Sequence, residues 1–196
     1  MHKREPGLRE RKKAETMTAV QHAALDLFDE HGFDAVTIEQ IAERAGTSPS
    51  TVYRYFGTKE GILVLDGADE PVTTYLLEQL THRDLYDVLD DYLAVFDEQV
   101  GNLDDVARRR MRYYFEVSSV RAAAYLQCDR FGDTVAEALA SRRRKPMSRL
   151  DAHVLAHSFI FGALAGIEQW YMDGAPGTVM EPVRSAIDLL RPRRPE

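Results

Sequence analysis

Apolar residues recur along the chain at steps of three and four, the period of a helix that packs on one side. Val20, Ala24, Leu27, Phe28 and His31 share such a face and predict a helix from near Arg9 to His31, ended by Gly32. Ile38, Ile41, Ala42 and Ala45 predict a short second helix. Thr37 is its N-cap, Gln40 three residues on completes a capping box, and Val36 with Ile41 forms the hydrophobic staple. Gly46 supplies the left-handed residue that stops it. A third helix starts at once, with Thr47 or Ser48 as cap and Pro49 just inside, where the missing N–H does no harm. Val52, Tyr55 and Phe56 face inward and leave Ser50, Thr51, Tyr53 and Arg54 outside. Gly57 then turns the chain, and Thr58 caps a fourth helix carrying Lys59, Glu60, Ile62, Leu63 and Val64.

Gly67 and Asp69-Glu70-Pro71 interrupt the pattern and predict a boundary, with residues 1–66 as one domain and 67–196 as a second. A short amphipathic stretch, Val72 to Leu80, follows. Asp84 caps a longer helix striped with Leu85, Val88, Leu89, Tyr92, Leu93, Phe96 and Val100, stopped by Gly101-Asn102. Further helices are predicted from about Leu103 to Ser118 and from about Val120 to Ser141. Ser148 to Met172 is nearly all apolar, which predicts burial on most faces. Its run Gly162 to Gly166 lets another helix approach closely, in the core or across a dimer. The last helix, starting at Thr178 or Pro182, carries Val183, Ala186, Ile187 and Leu190, and Arg191-Pro192 ends it. No stretch alternates as a strand would, so the expected fold is all-α.

Composition narrows the compartment. Of the 196 residues 44% are hydrophobic, an ordinary share for a globular protein, and the single cysteine cannot close an internal disulfide. The N-terminal MHKREPGLRERKK has no apolar segment behind its charges, so it does not read as a signal peptide. A cytoplasmic protein without a membrane span is expected. A net charge of −7 rules out a generally basic surface, so any nucleic-acid footprint must be local. The candidates are Lys3, Arg4, Arg9, Arg11, Lys12 and Lys13 in the N-terminal arm, then Arg44, Arg54 and Lys59. The arm reads equally as a groove-contacting segment or as a solvated terminus.

Two short helices joined by a glycine turn make a helix-turn-helix unit. The N-terminal end of the second can enter a major groove, where Ser and Thr reach base edges and Tyr53 can donate to phosphate. The stretch GFDAVTIEQIAERAGTSPSTVYRYFGTKEGIL resembles the DNA-binding domain of TetR-family transcriptional repressors. The likeness includes Gly32-Phe33, the Thr-Ile opening, Ala45-Gly46, the Tyr-x-Tyr-Phe close and Lys59. It implies an N-terminal helix-turn-helix head whose DNA contacts are Thr37, Thr47, Ser48, Pro49, Ser50, Thr51, Tyr53, Tyr55 and Lys59. Lys59 would touch phosphate. A cation at a helix N-terminus is mildly unfavourable, which gives a separate reason to expect an anion there. Glu39 departs from relatives that carry a basic reader near that position.

The resemblance also implies a C-terminal ligand-binding and dimerisation body. Two heads related by a two-fold axis would read a palindromic double-stranded operator, with half-sites roughly 34 Å or a multiple apart. The last two helices would form an intermolecular four-helix bundle through Phe161, Gly162, Ala165, Gly166, Val183, Ile187 and Leu190. A small-molecule effector, largely apolar or aromatic, would release the repressor from a pocket lined by Tyr92, Phe96, Tyr113, Tyr114, Phe115, Phe159 and Trp170. The basic band Arg108 to Arg112 could receive a phosphate or carboxylate. No cofactor is expected, and no catalytic constellation is visible, so an enzyme is not expected. His153 and His157 have a chelating spacing, but no glutamate stands in the zincin position and there is no second cysteine, so no metal is expected. Cys128 reads as a small buried hydrophobe.

Overall fold

A computed structural model describes residues 7–65, 69–100, 105–142 and 147–191, apart from the side chains of 69–72 and 95–100. Among these residues there are ten α-helices and no strand. They are α1 (Leu8–His31), α2 (Ile38–Arg44), α3 (Pro49–Phe56), α4 (Lys59–Val64), α5 (Asp69–Leu80), α6 (Leu85–Val100), α7 (Asp105–Glu116), α8 (Ser118–Ala140), α9 (Arg149–Met172) and α10 (Met180–Leu189). Asp69-Glu70-Pro71 therefore opens α5 rather than breaking the chain. A proline in the first turn removes no intrahelical hydrogen bond.

The chain packs as two compact units, Met1–Pro71 with Asp105–Tyr125 and Val72–Asp104 with Leu126–Glu196. Residues 105–125, which the chain order assigns to the body, thus pack with the head. An ion-pair cluster joins α7 to α1. Arg109 donates 2.8 Å bonds to Asp26 and Asp29, Tyr113 donates its hydroxyl to Asp29 at 2.6 Å, and Arg112 pairs with Asp29 as well. Burial pushes the Asp29 carboxyl up, but the Tyr113 hydroxyl and the two guanidiniums outweigh it and hold it below its ordinary value. Burial, with the Asp29 hydrogen bond, pushes the Tyr113 phenol up to about 12.

The first unit has its own core. Val20, Ala24, Leu27 and Phe28 of α1 are buried with Ile41 and Ala42 of α2, Val52 and Phe56 of α3, and Ile62 of α4. His31, expected on the inner face, is exposed. The Tyr113 ring packs edge-on to Phe28 at 5.6 Å. In the second unit Leu80, Val88, Leu139, Ala156, Phe159, Trp170 and Met180 belong to one buried cluster. There α9 and α10 come close at Gly166, where an added Cβ would stand 2.8 Å from the Pro182 carbonyl oxygen.

Candidate nucleic-acid interface

Local signals start and stop each of the head's short helices. The Thr37 hydroxyl accepts from the Gln40 N–H at 3.3 Å, and the Thr37 N–H donates to Gln40 Oε1 at 2.8 Å. Gly46, at φ 65°, lets the Thr47 N–H return to the Ala42 carbonyl at 2.9 Å, which closes α2 and aims the chain into α3. Ser48 is the cap of α3, accepting from the Thr51 N–H at 3.2 Å, and Pro49 follows it. Thr58 caps α4 through the Gly61 N–H at 3.1 Å. The spacing of the two helices is therefore set by backbone geometry, not by long loops.

This leaves a polar surface on α3. Ser48, Ser50, Tyr53 and Arg54 are exposed, Thr37 is exposed, and Thr47, Pro49, Thr51 and Tyr55 are half-buried. The Ser48 hydroxyl lies 2.9 Å from both the Ser50 and Thr51 hydroxyls, so three hydroxyls share one small network at the start of the helix. Hydroxyls so placed can exchange this mutual bonding for phosphate or base-edge acceptors. The Arg54 guanidinium covers the Tyr55 ring at 4.8 Å.

The basic footprint is smaller than the sequence suggests. Arg44 is held by two hydrogen bonds to Glu30, at 3.2 and 3.0 Å. Lys59 does not wait for an anion. Its ammonium donates to the Phe33 carbonyl at 2.7 Å and to the Asp34 carbonyl at 3.4 Å, and lies 4.6 Å above the Phe33 ring. Those carbonyls offset the unfavourable helix N-terminus, so that reason for a partner anion falls away. Arg9, Arg11 and Lys12 are exposed on the first turns of α1, while Lys3 and Arg4 lie outside the described residues. Arg54, like Arg9, Arg11 and Lys12 on α1, is exposed, while the exposed Arg44 is tied to Glu30.

Two residues that support the head were not singled out by periodicity. Gln21 is buried on α1 and donates to the Ile62 and Leu65 carbonyls, at 3.3 and 2.8 Å, closing the end of α4. Gly61 lies so close to α3 that an added Cβ would stand 1.9 Å from the Phe56 carbonyl oxygen. A buried polar residue on an apolar face and a glycine inside a short helix were the available signals.

The expected effector residues are drawn from both units. Tyr113 is committed to Asp29, Phe28 and Phe33 in the first unit. Tyr114 is buried there with its ring edge-on to Phe115 at 4.9 Å. In the second unit Phe159 is buried against Tyr86 and Tyr92 is half-buried on the core. The Trp170 indole N–H donates to the Pro176 carbonyl at 2.8 Å, which pins the turn before α10. Within its own unit each of these aromatics has packing partners, and the Phe96 side chain lies outside the described residues. The Arg108–Arg112 band is likewise occupied: Arg109 and Arg112 serve Asp29, and Arg110 donates to the Leu63 carbonyl at 2.6 Å. An open cleft of about 700 Å³ instead lies between α8 and α9, lined by Asp133, Ala136, Glu137, Met147, Arg149 and His153 among others.

The expected dimer residues also divide. Val183 and Ile187 are buried in the chain's own core, and Gly162 and Gly166 give room to Leu190 and Pro182 of the same chain. Phe161 is half-buried and Ala165 exposed. They continue a stripe with Leu150, Val154 and Met172, which are 71%, 54% and 65% exposed. The steps of four and seven keep this stripe on one face of α9. By length and composition α9 could also cross a membrane, contrary to the expectation that no span would qualify. Leu189 on α10 is 86% exposed. Burial raises the Cys128 thiol pKa, which disfavours a reactive thiolate.

Comparison with known proteins agrees with both halves. Residues 21–64 match the family described as bacterial regulatory proteins, tetR family, and residues 83–195 match the MftR C-terminal domain. The transcriptional regulator MftR of Mycobacterium tuberculosis, provisionally named for mycofactocin biosynthesis, is 24% identical over 92% of this chain and 91% of its own. The HTH-type regulator YdeS of Bacillus subtilis is 45% identical over 25% of each chain. The structure of SmeT in complex with triclosan superposes with a TM-score of 0.55 at 20% identity, covering 89% of both chains. SmeT is the repressor of a Stenotrophomonas maltophilia multidrug efflux pump.

Proposed function

The chain belongs to the tetR family of bacterial regulatory proteins, and on that premise we propose that it binds a palindromic operator as a homodimer and is released by a small molecule. It is a transcriptional regulator with a helix-turn-helix domain, and its relatives are regulators, not enzymes. Acting on DNA, it works in the cytoplasm.

One observation carries the DNA reading. The capped α2–α3 pair holds Ser48, Ser50, Thr51 and Tyr53 on the outer side of α3, while Val52 and Phe56 seal the inner side. Ser48, Ser50 and Thr51 are the base-edge candidates, with Thr47 beside them. Thr37, Tyr53, Tyr55 and Lys59 are the phosphate candidates, Lys59 through the hydrogen its carbonyl partners leave over. The apolar stripe of α9, with Leu189, supports the dimer: a partner copy removes from water what one chain leaves in it. The α8–α9 cleft is the place for an effector, and its mix of carboxylates, Arg149 and Met147 suits an amphipathic molecule better than a wholly apolar one.

The test is binding of the purified protein to DNA from its own upstream intergenic region across a salt series. Tight binding to one fragment, with a palindrome protected from cleavage, is the expected result. Weak binding, equal on all fragments and steeply lost with salt, would contradict the reading.

A further inference from the structure

Sequence spacing shows one histidine pair; the fold adds a pair of carboxylates to it. His153 and His157 stand one turn apart on α9, and Asp129 and Asp133 one turn apart on α8. His157 Nε2 lies 3.4 Å from Asp129 Oδ1 and 3.8 Å from Asp133 Oδ1, and His153 Nδ1 lies 3.5 Å from Asp133 Oδ1. We propose that Asp133, His153 and His157, assisted by Asp129, bind one divalent transition-metal ion of the zinc class.

Three observations carry this. First, the His157 ring is already set as a ligand. Its Nδ1 lies 3.0 Å from the His153 carbonyl oxygen. A carbonyl only accepts, so Nδ1 carries the hydrogen and the lone pair of the neutral ring is on Nε2. A backbone carbonyl in this role is the usual means of orienting a metal-bound imidazole. Second, Nε2 is closed to solvent and has no hydrogen-bond partner among the described residues, although the His157 side chain as a whole is 15% exposed. A buried acceptor facing two carboxylates is a set of groups that one shared cation would satisfy. Third, the separations fit. Nitrogen and oxygen ligands about 2.0–2.2 Å from a tetrahedral ion stand roughly 3.3–3.6 Å from one another. One donor atom from each of Asp133, His153 and His157 lies within 4.8 Å of the other two. The His153 and Asp133 side chains are more than half exposed and can turn to close the remainder.

Gly132 makes the arrangement possible. It sits inside α8, where glycine is disfavoured, and an added Cβ would stand 2.7 Å from His157 Nε2. The absent side chain is the seat of the imidazole. The donor set of nitrogen and carboxylate oxygen without thiolate suits zinc, nickel or cobalt in the divalent state.

The test uses full-length protein without an affinity tag, stripped with a chelator and titrated with Co²⁺, read by visible absorption and by competition with Zn²⁺. One ion per chain with a tetrahedral spectrum is expected. His157→Ala and Asp133→Asn should each weaken binding at least ~10-fold. Gly132→Ala, which raises helix propensity, should do the same by displacing the ring. His2, His22, His31 and His82 remain in every variant, so adventitious binding through them is unchanged. An equal Co²⁺ affinity and spectrum in wild type and His157→Ala, or no stoichiometric binding at all, would overturn the proposal and leave the histidine–carboxylate contacts a packing role only.

Discussion

Helix α3 is 8 residues long and keeps Ser50, Tyr53 and Arg54 outside while Val52 and Phe56 are sealed within the first unit. Helix α9 is 24 residues long and does the reverse, leaving Leu150, Val154 and Met172 in water. The first surface is finished without a partner. Its hydroxyls bond to one another, Arg44 rests on Glu30, Lys59 on backbone carbonyls, and Arg54 lies over the Tyr55 ring. The second is unfinished, because no part of the described chain covers it. A polar ligand can come and go from the one; the other asks for a standing apolar partner.

The sharpest way to break that contrast is to charge the stripe. Leu150→Asp with Val154→Asp should leave each chain folded, since both sites are exposed. It should separate the dimer and lower operator affinity by ~10²–10⁴-fold through loss of two-headed binding, read by sedimentation and DNA titration. Damage to the head should instead act through stability. Gly61→Ala forces a Cβ against the Phe56 carbonyl and should cost about 3 kcal/mol by thermal unfolding, with the dimer the last feature lost.

Asp29→Asn should cost about 1–2 kcal/mol, the scale of a partly screened hydrogen bond to charge. Its pH dependence has a definite sign. The folded carboxyl titrates below its ordinary value. Its stabilisation is therefore complete above the unfolded pKa of about 3.9 and is lost as pH falls through the folded value. The variant should show a flatter acid limb in an unfolding series. Tyr113, raised to about 12, acts at the other end: its contribution holds below about 10 and is lost as pH rises toward the folded value. The smallest effect is expected at Tyr53→Phe, which removes one hydroxyl and should weaken operator binding by ~5-fold with unfolding unchanged. Unchanged affinity would remove Tyr53 from the contact set.

The head was legible because its instructions are local. Thr37 and Gln40, Gly46, Ser48 with Pro49, and Thr58 each act within a few residues, and the helices begin and end where these place them. The chain between 67 and 196 was legible as helices but not as partners. Arg109 meets Asp26 across 83 positions, and nothing in spacing announces that pairing. Tyr113 and Trp170, named as pocket residues by resemblance alone, are both buried, and burial by itself is common to a filled core and a cavity wall. The Gly162–Gly166 run correctly signalled a close helix crossing. The crossing is with α10 of the same chain, and the stripe left outside was hidden in a helix that is apolar all round. His153 and His157 lacked their carboxylates until α8 was laid beside α9.

One chain finishes its reading surface but leaves the apolar stripe of α9 uncovered among the described residues. Sedimentation equilibrium of the protein, alone and with a single operator duplex, tests it most directly. A dimer at micromolar concentration without DNA and two chains per duplex with it are expected. A stable monomer that binds the duplex one to one, with undiminished affinity, would contradict it.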